Sequence, residues 1–297
     1  MDDDTLRPVS PLGLGAVAQV SFAVGDLLRV LPAYEALFGP FELGRVPLAG
    51  EREMIVGFAR AGTVEIELVQ APPGRLPQAG HVARHGDGIH HVGFYQQTLA
   101  PARAALLGAG YRQVAGSEDF GYFELPDVLG YSLVEIGRTG AADLVPRVPV
   151  PRTGVDLALG AMDQVSFAVR DLDAVLPTYE ALFGPFDVRV AVVDRLWYRG
   201  RESRGEYRLG FARSGDLEIE LVQVTAGDAP QADHLHVHGE GLQHVRFRVA
   251  DLDGARARME QRGYRTVVFG EPPGVRFAYL ELPADLGYTM VELIQRR

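Results

Sequence analysis

The chain is duplicated, and this constrains its fold more than any other feature. Residues 19–41 (QVSFAVGDLLRVLPAYEALFGPF) return as residues 164–186 (QVSFAVRDLDAVLPTYEALFGPF). GFARAGTVEIELVQ (57–70) returns as GFARSGDLEIELVQ (210–223), and HVARHGDGIHHV (81–92) as HLHVHGEGLQHV (234–245). YFELPDVLGYSLVEI (122–136) returns as YLELPADLGYTMVEL (279–293). The second copy is longer by eight residues around 194–203 and by four near 270–277. A chain that repeats on this scale is expected to fold as repeated units.

The organisation follows. Residues 1–15 carry Pro and Gly with little periodicity and are expected to be loose. Residues 16–137 form a first domain and 161–297 a second. The Pro- and Gly-rich stretch 138–160 between them reads as a linker. Each half contains a weaker repeat of its own. QVSFAV and HVGFY each precede a helical segment, and EIELVQ and YSLVEI each close a unit, which gives four modules of about 70 residues.

Within a module, QVSFAV alternates as a strand. Asp26 is placed to cap a helix through Leu31, Tyr34, Leu37 and Phe38, a core stripe that ends at Gly39. Pro32 is awkward inside that helix, because it has no N–H to donate. Strand-like runs follow, EMIVGFAR and then VEIELVQ. The second module repeats the pattern with HVGFY, a helix from about Thr98 to Leu107, then FGYFEL and YSLVEI. The expected class is α+β, with mostly antiparallel strands and helices packed on one face.

Composition narrows the chemistry. The 29 basic residues are all Arg, and the chain has no Lys, Cys or Asn. Schiff-base and thiol catalysis, Cys-ligated metals, disulfides and a Walker-type P-loop are therefore excluded. A net charge of −10 disfavours general nucleic-acid binding. No apolar run is long enough for a membrane helix, and the acidic start lacks the form of a signal peptide. A cytoplasmic protein is expected.

Strand alternation sorts the remaining reactive residues. Val92 and Phe94 share the apolar face of one strand, Ile66 and Leu68 that of another. The opposite faces carry Gln19, Glu67, His91 and Glu135 among small residues, as suits a cleft. The second half repeats the types as Gln164, Glu220, His244 and Glu292. Two carboxylates, an imidazole and an amide suit a divalent metal, although solvated strand residues would read the same way.

These motifs together resemble the vicinal oxygen chelate superfamily, which includes glyoxalase I, methylmalonyl-CoA epimerase, extradiol dioxygenases and bleomycin-resistance proteins. QVSFAVxDL…YEALFGPF, EIELVQ, G-[IL]-x-HV-x-F and LPxxLGYxxVE[IL] carry the resemblance over nearly the whole chain outside residues 1–15 and the linker. It implies four βαβββ modules forming two domains with curved mixed sheets around clefts. It places a divalent metal (Zn, Ni, Co, Mn or Fe) on Gln19, Glu67, His91 and Glu135, and another on Gln164, Glu220, His244 and Glu292. The Gln/Glu/His/Glu set is similar to eukaryotic-type glyoxalase I. The last module looks most like epimerase-like members. Extradiol dioxygenases carry a His where this chain has Gln164.

The implied activity is metal-dependent proton transfer next to a carbonyl of a small-molecule substrate, as in an isomerase, epimerase or lyase, with Glu135 and Glu292 as bases. The alternatives are an extradiol-type dioxygenase and a non-catalytic drug- or metabolite-binding protein. Arg246, Arg248 and Tyr95 are candidate substrate residues; for the Arg pair, an anionic ligand competes with plain ion pairing. His234, His236 and His238 would share one side of an extended strand, either as a second metal site or as polar surface. His90, next to His91, should face away from it. Trp197 is expected to anchor its loop. A monomer or homodimer fits equally.

Overall fold

The computed structural model describes residues 10–48, 52–74, 76–140, 145–152, 154–283 and 286–296. The first half runs β1 (Gln19–Ala23), α1 (Leu27–Phe38), β2 (Glu42–Leu48), β3 (Arg52–Ala61), β4 (Val64–Gln70), α2 (Pro77–His85), β5 (Gly88–Gln96) and α3 (Leu99–Gly108). It continues with β6 (Arg112–Gly116), β7 (Phe120–Glu124), the single turn α4 (Pro126–Leu129) and β8 (Leu133–Arg138). The linker adds β9 (Arg147–Pro149). The second half repeats the order as β10 (Met162–Ala168), α5 (Leu172–Phe183), β11 (Asp187–Tyr198), β12 (Arg201–Ser214) and β13 (Leu217–Gly227). Then come α6 (Pro230–Val237), β14 (Gly241–Arg248), α7 (Leu252–Glu260), β15 (Arg265–Gly270), β16 (Val275–Glu281) and β17 (Met290–Arg296). Each half is thus a pair of βαβββ modules, the α+β class the sequence implies.

Each half builds its own sheet. The first is nine-stranded, in the order β6-β7-β8-β5-β1-β4-β3-β2-β9; the second closes as a barrel, β10-β13-β12-β11-β15-β16-β17-β14. The first and last strands of each module pair in parallel, β1 with β4 and β5 with β8. β1 joins the modules by pairing antiparallel with β5. Four central strands of one half therefore lie side by side, so each cleft forms within a half.

The eight-residue insertion explains why only the second sheet closes. It lengthens the β11–β12 hairpin until Leu196, Trp197 and Tyr198 pair with Gly270, Phe269 and Val268 of β15. Leu196 and Tyr198 point inward and bury against Val267, Val268 and Met290. Trp197 does not anchor its loop as expected. It is 47% exposed, because alternation turns it outward between two buried neighbours.

Helix α1 starts at its Asp26 cap, whose side chain accepts from the Arg29 N–H. Pro32 lies inside the helix, and Pro177 does so in α5. The core crosses between the halves reciprocally: Phe38 of α1 stacks 5.6 Å from Phe247 of β14, and Phe183 of α5 lies 5.9 Å from Phe94 of β5. Burying each such ring contributes roughly 1.5–3 kcal/mol. Residues 10–15, expected to be loose, are held at Ser10 and Leu14, while Pro11, Gly13 and Gly15 are exposed. Leu14 is fully buried, and the Ser10 hydroxyl donates to the Ala181 carbonyl of α5. Residues 1–9 lie outside the described residues.

Candidate metal centres

Adjacent strands bring three side chains together in each half, in the first Glu67 on β4, His91 on β5 and Glu135 on β8, while Gln19 lies on β1 between them. Ser21 is the reason for the convergence, since it lies opposite both Glu67 and His91 in register. Ser166 plays the same part between Glu220 and His244. One donor atom from each of Glu67, His91 and Glu135 falls within a 4.8 Å group, and so does one from each of Glu220, His244 and Glu292. The Gln19 and Gln164 side chains lie on the same strand face two residues from these serines.

The donor atoms fit a cation. In the second half, His244 Nε2 is 3.4 Å from an oxygen of both Glu220 and Glu292. Ligands bound at about 2.1 Å around a tetrahedral ion have that separation. The buried Gln164 Oε1, Glu220 Oε2 and His244 Nε2 have no hydrogen-bond partner among the described residues, and neither does Gln19 Oε1. Buried acceptors of this kind call for a positive partner. The first half is less regular: His91 Nε2 lies 2.7 Å from Glu135 and 3.8 Å from Glu67.

The electrostatics differ accordingly. Burial, then the nearby Glu135 charge, push the Glu67 carboxyl well above its usual range. Burial and the Glu65 charge push Glu135 up to about 8. Burial alone lowers His91 to about 3. His244 is also opposed by burial, but the Glu220 and Glu292 carboxylates 3.4 Å away raise it. A divalent cation would relieve the carboxylate crowding in the first half.

A β-bulge corrects the expectation for His90. In β5, Ser21 faces His91 but Phe22 faces Ile89, so His90 is the extra residue and strict alternation fails there. His90 thus turns beside His91, with Nδ1 2.8 Å from His91 Nδ1. The same bulge in β14 puts Gln243 Oε1 2.7 Å from His244 Nδ1. An amide oxygen only accepts, so His244 donates from Nδ1 and turns Nε2 toward the two carboxylates, where a divalent cation displacing any Nε2 proton would find its lone pair.

The candidate substrate residues are engaged. Buried Arg246 forms a two-pronged pair with Asp163 and also reaches Glu218 at 3.0 Å. Arg248 pairs with Asp163 at 2.9 Å. The Tyr95 hydroxyl donates to Glu65 and accepts from Gln19 Nε2. Ion pairing thus describes the two Arg better than an open anion site does.

Other participants went unread in the sequence. Tyr122 and Tyr279 set their rings edge-on to His91 and His244, each at 5.1 Å. They lie opposite Glu135 and Glu292 in register. Their signal was the recurrence of YFEL as YLEL. Glu65 and Glu218 accept from the amides of Gln19 and Gln164.

The expected His-bearing strand is a helix. Pro230 opens α6, and Pro77 opens α2 in the first half. With 3.6 residues per turn, His234 and His238 share a face, while His236 turns elsewhere. His81, His85, His234 and His238 cluster between the halves around Tyr131 and Tyr288. No three of them come close enough to form a metal-binding group among the described residues. Cavities of about 570 Å³ flank this cluster on either side, one reaching His90 and Leu133, the other Gln243 and Met290.

Comparison with known proteins places this geometry. The family model for the Glyoxalase/Bleomycin resistance protein/Dioxygenase superfamily matches residues 18–122 and again 163–279. No curated protein matches the sequence. Among solved structures, a mutant 4-hydroxymandelate synthase from Streptomyces coelicolor is similar over 98% of this chain and 94% of its own, at 19% identity and a TM-score of 0.68. A fusion protein of a xylose isomerase-like TIM barrel with a 4-hydroxyphenylpyruvate dioxygenase matches all of this chain and 51% of its own, at 16% identity and a TM-score of 0.60. A methylmalonyl-CoA epimerase from Mycobacterium tuberculosis matches 46% of this chain and 87% of its own at 23% identity, with a TM-score of 0.35. The matched regions carry Glu67 and His91 in the first half and Glu220 and His244 in the second, with Glu135 and Glu292 just beyond their ends, and the chain belongs to the Glyoxalase/Bleomycin resistance protein/Dioxygenase superfamily, with two such domains in tandem.

Proposed function

We propose that the protein is a metal-dependent isomerase, epimerase or lyase that moves a proton next to the carbonyl of a small-molecule substrate. The observation that carries this reading is the twice-built group of one imidazole and two carboxylates, in halves that each also bury an orphaned glutamine amide oxygen. Glu67, His91, Glu135 and Gln19 would hold one divalent ion, and Glu220, His244, Glu292 and Gln164 another. Such an ion supplies Lewis acidity toward the substrate oxygens. Glu135 and Glu292 each end the ligand row and would take and return the substrate proton.

A second reading, a dioxygenase reaction, takes support from the family's description and from the likeness to the 4-hydroxyphenylpyruvate dioxygenase fusion protein. The donor set counts against it, because facial iron sites use two imidazoles and one carboxylate. Two measurements separate the readings. Elemental analysis gives the metal and its stoichiometry. Incubation in D₂O with 2-oxo or acyl-CoA compounds then tests for deuterium at the carbon next to the carbonyl. Exchange supports proton transfer; oxygen consumption with Fe(II) and no exchange rejects it. Purified protein that takes up no metal rejects both.

A further inference from the structure

In both halves the amide with the orphaned oxygen is held by a glutamate, and that glutamate by an arginine. The second half draws all three from its own sheet. Gln164 Nε2 donates to Glu218 at 2.8 Å, and Arg246 of β14 pairs with Glu218 at 3.0 Å. In the first half, Gln19 Nε2 donates to Glu65 at 3.1 Å. The position opposite Gln19 on β5, however, is Gly93, where the second half has Arg246 opposite Gln164. A Cβ at Gly93 would meet the Gln19 side chain at 3.0–3.1 Å.

The missing guanidinium arrives from the linker. β9 pairs antiparallel with the edge strand β2 and sets Arg147 opposite Gly44. Arg147 then lies with its guanidinium 3.8 Å above the Phe58 ring, and both terminal nitrogens are 3.4 Å from Glu65 Oε2. Gly44 is what admits the linker, since a Cβ there would meet Val145 at 2.5 Å. The second half carries Arg189 at the corresponding position, and there β11 has β12 and β15 as its neighbours in the barrel.

We propose that Arg147 is a positioning residue of the first metal site, and that the linker is therefore part of that site. By fixing Glu65, it keeps the Gln19 amide nitrogen turned away, so that the Gln19 oxygen faces the cation. Two unrelated sequence positions, Arg147 and Arg246, supply one function. This inference rests on the metal reading of Gln19, Glu67, His91 and Glu135.

The test uses Co(II) as the probe, in full-length protein with His244→Ala to silence the second site. Binding is measured by calorimetry, and coordination by the visible absorption of Co(II). In this background, Arg147→Met keeps a stem over Phe58 but removes the guanidinium. It should weaken Co(II) binding about tenfold or more and change the visible spectrum. Arg147→Ala should do the same and recover on addition of guanidinium ion. With His91→Ala instead, where the second site alone is read, Arg147→Met should leave Co(II) binding unchanged. Unaltered affinity and spectrum at the first site overturn the proposal while leaving the metal reading intact. An equal loss at both sites overturns it as a general loss of stability. Absence of Co(II) binding in the His244→Ala protein with Arg147 present overturns the metal reading of the first half, and this proposal with it.

Discussion

The Tyr288 hydroxyl lies 3.1 Å from His81 Nε2, across the boundary between the two halves, while it donates to the Ile89 carbonyl at 2.6 Å. Its single proton being spent on Ile89, the hydroxyl accepts from His81, which is neutral with its proton on Nε2. Tyr131 forms the reciprocal contact with His234 at 3.2 Å and donates to the Leu242 carbonyl. The LGY motif of each half is thus a clasp on the other.

The clasp makes the junction sensitive to acid. Burial, then neighbouring histidines and, for His81, Arg84, push His81 far below its usual pKa and His234 down to about 3. Each binds a proton near pH 6.5 when unfolded but resists it when folded. Their contribution to stability is complete above about pH 6.5 and falls as the pH drops toward 3, by up to about 1.4 kcal/mol per histidine per pH unit. Half-exposed His85 and His238, also lowered, add in the same direction. Between pH 7.5 and 5.5, His81 and His234 together should account for roughly 2–3 kcal/mol of the stability that urea melts show the wild type to lose. The His81→Gln/His234→Gln variant should lose clearly less over the same interval; equal losses would show that these histidines do not couple folding to protons.

The clasps also need their glycines. Gly130 has φ +59°, and a Cβ there would sit 1.8 Å from the Glu240 carbonyl oxygen; Gly287 has φ +102°, with Asp87 O at 2.0 Å. Both neighbours are backbone and cannot swing aside. Gly130→Ala or Gly287→Ala should therefore cost about 3 kcal/mol or more. Chemical denaturation checks this, and a loss below about 1 kcal/mol would mean that the junction yields easily.

The bulge residues should set metal affinity unequally. Gln243 can only accept from His244 Nδ1–H, whereas the His90 ring offers His91 either a lone pair or a proton. Gln243→Leu should weaken the second site about 10- to 100-fold. His90→Gln should tighten the first site or leave it unchanged. Zn(II) titration in variants carrying one intact site measures both, and undiminished binding in Gln243→Leu would remove the tautomer argument.

Much of the architecture was legible because it was written twice. The repeats marked the modules, and period-two alternation placed Gln19, Glu67, His91 and Glu135 on one face. What escaped the sequence breaks local regularity. His90 sits on a bulge, and one extra residue reverses the expected face without changing composition. His234, His236 and His238 alternate as a strand would, and only Pro230 signalled a helix. Arg147 lies in a linker with no periodicity, and its place depends on an edge strand more than 100 residues away in the chain. Contacts of that kind follow from tertiary packing alone.

The catalytic proposal is decided by Glu135 and Glu292. Replacing either with Gln preserves an oxygen donor and the side-chain volume but removes the base. If both sites turn over, each single variant should keep about half of the activity, and the double variant should fall by about 10²- to 10⁴-fold. Metal content should remain near that of the wild type, since the other carboxylate, the imidazole and the amide persist in each half. Unequal single variants would identify the working half. The irregular spacing at His91, 2.7 and 3.8 Å against 3.4 and 3.4 Å at His244, favours the second. Solvent-deuterium exchange on a responsive 2-oxo or acyl-CoA substrate is the assay. Full exchange in the double variant would remove both glutamates from the mechanism.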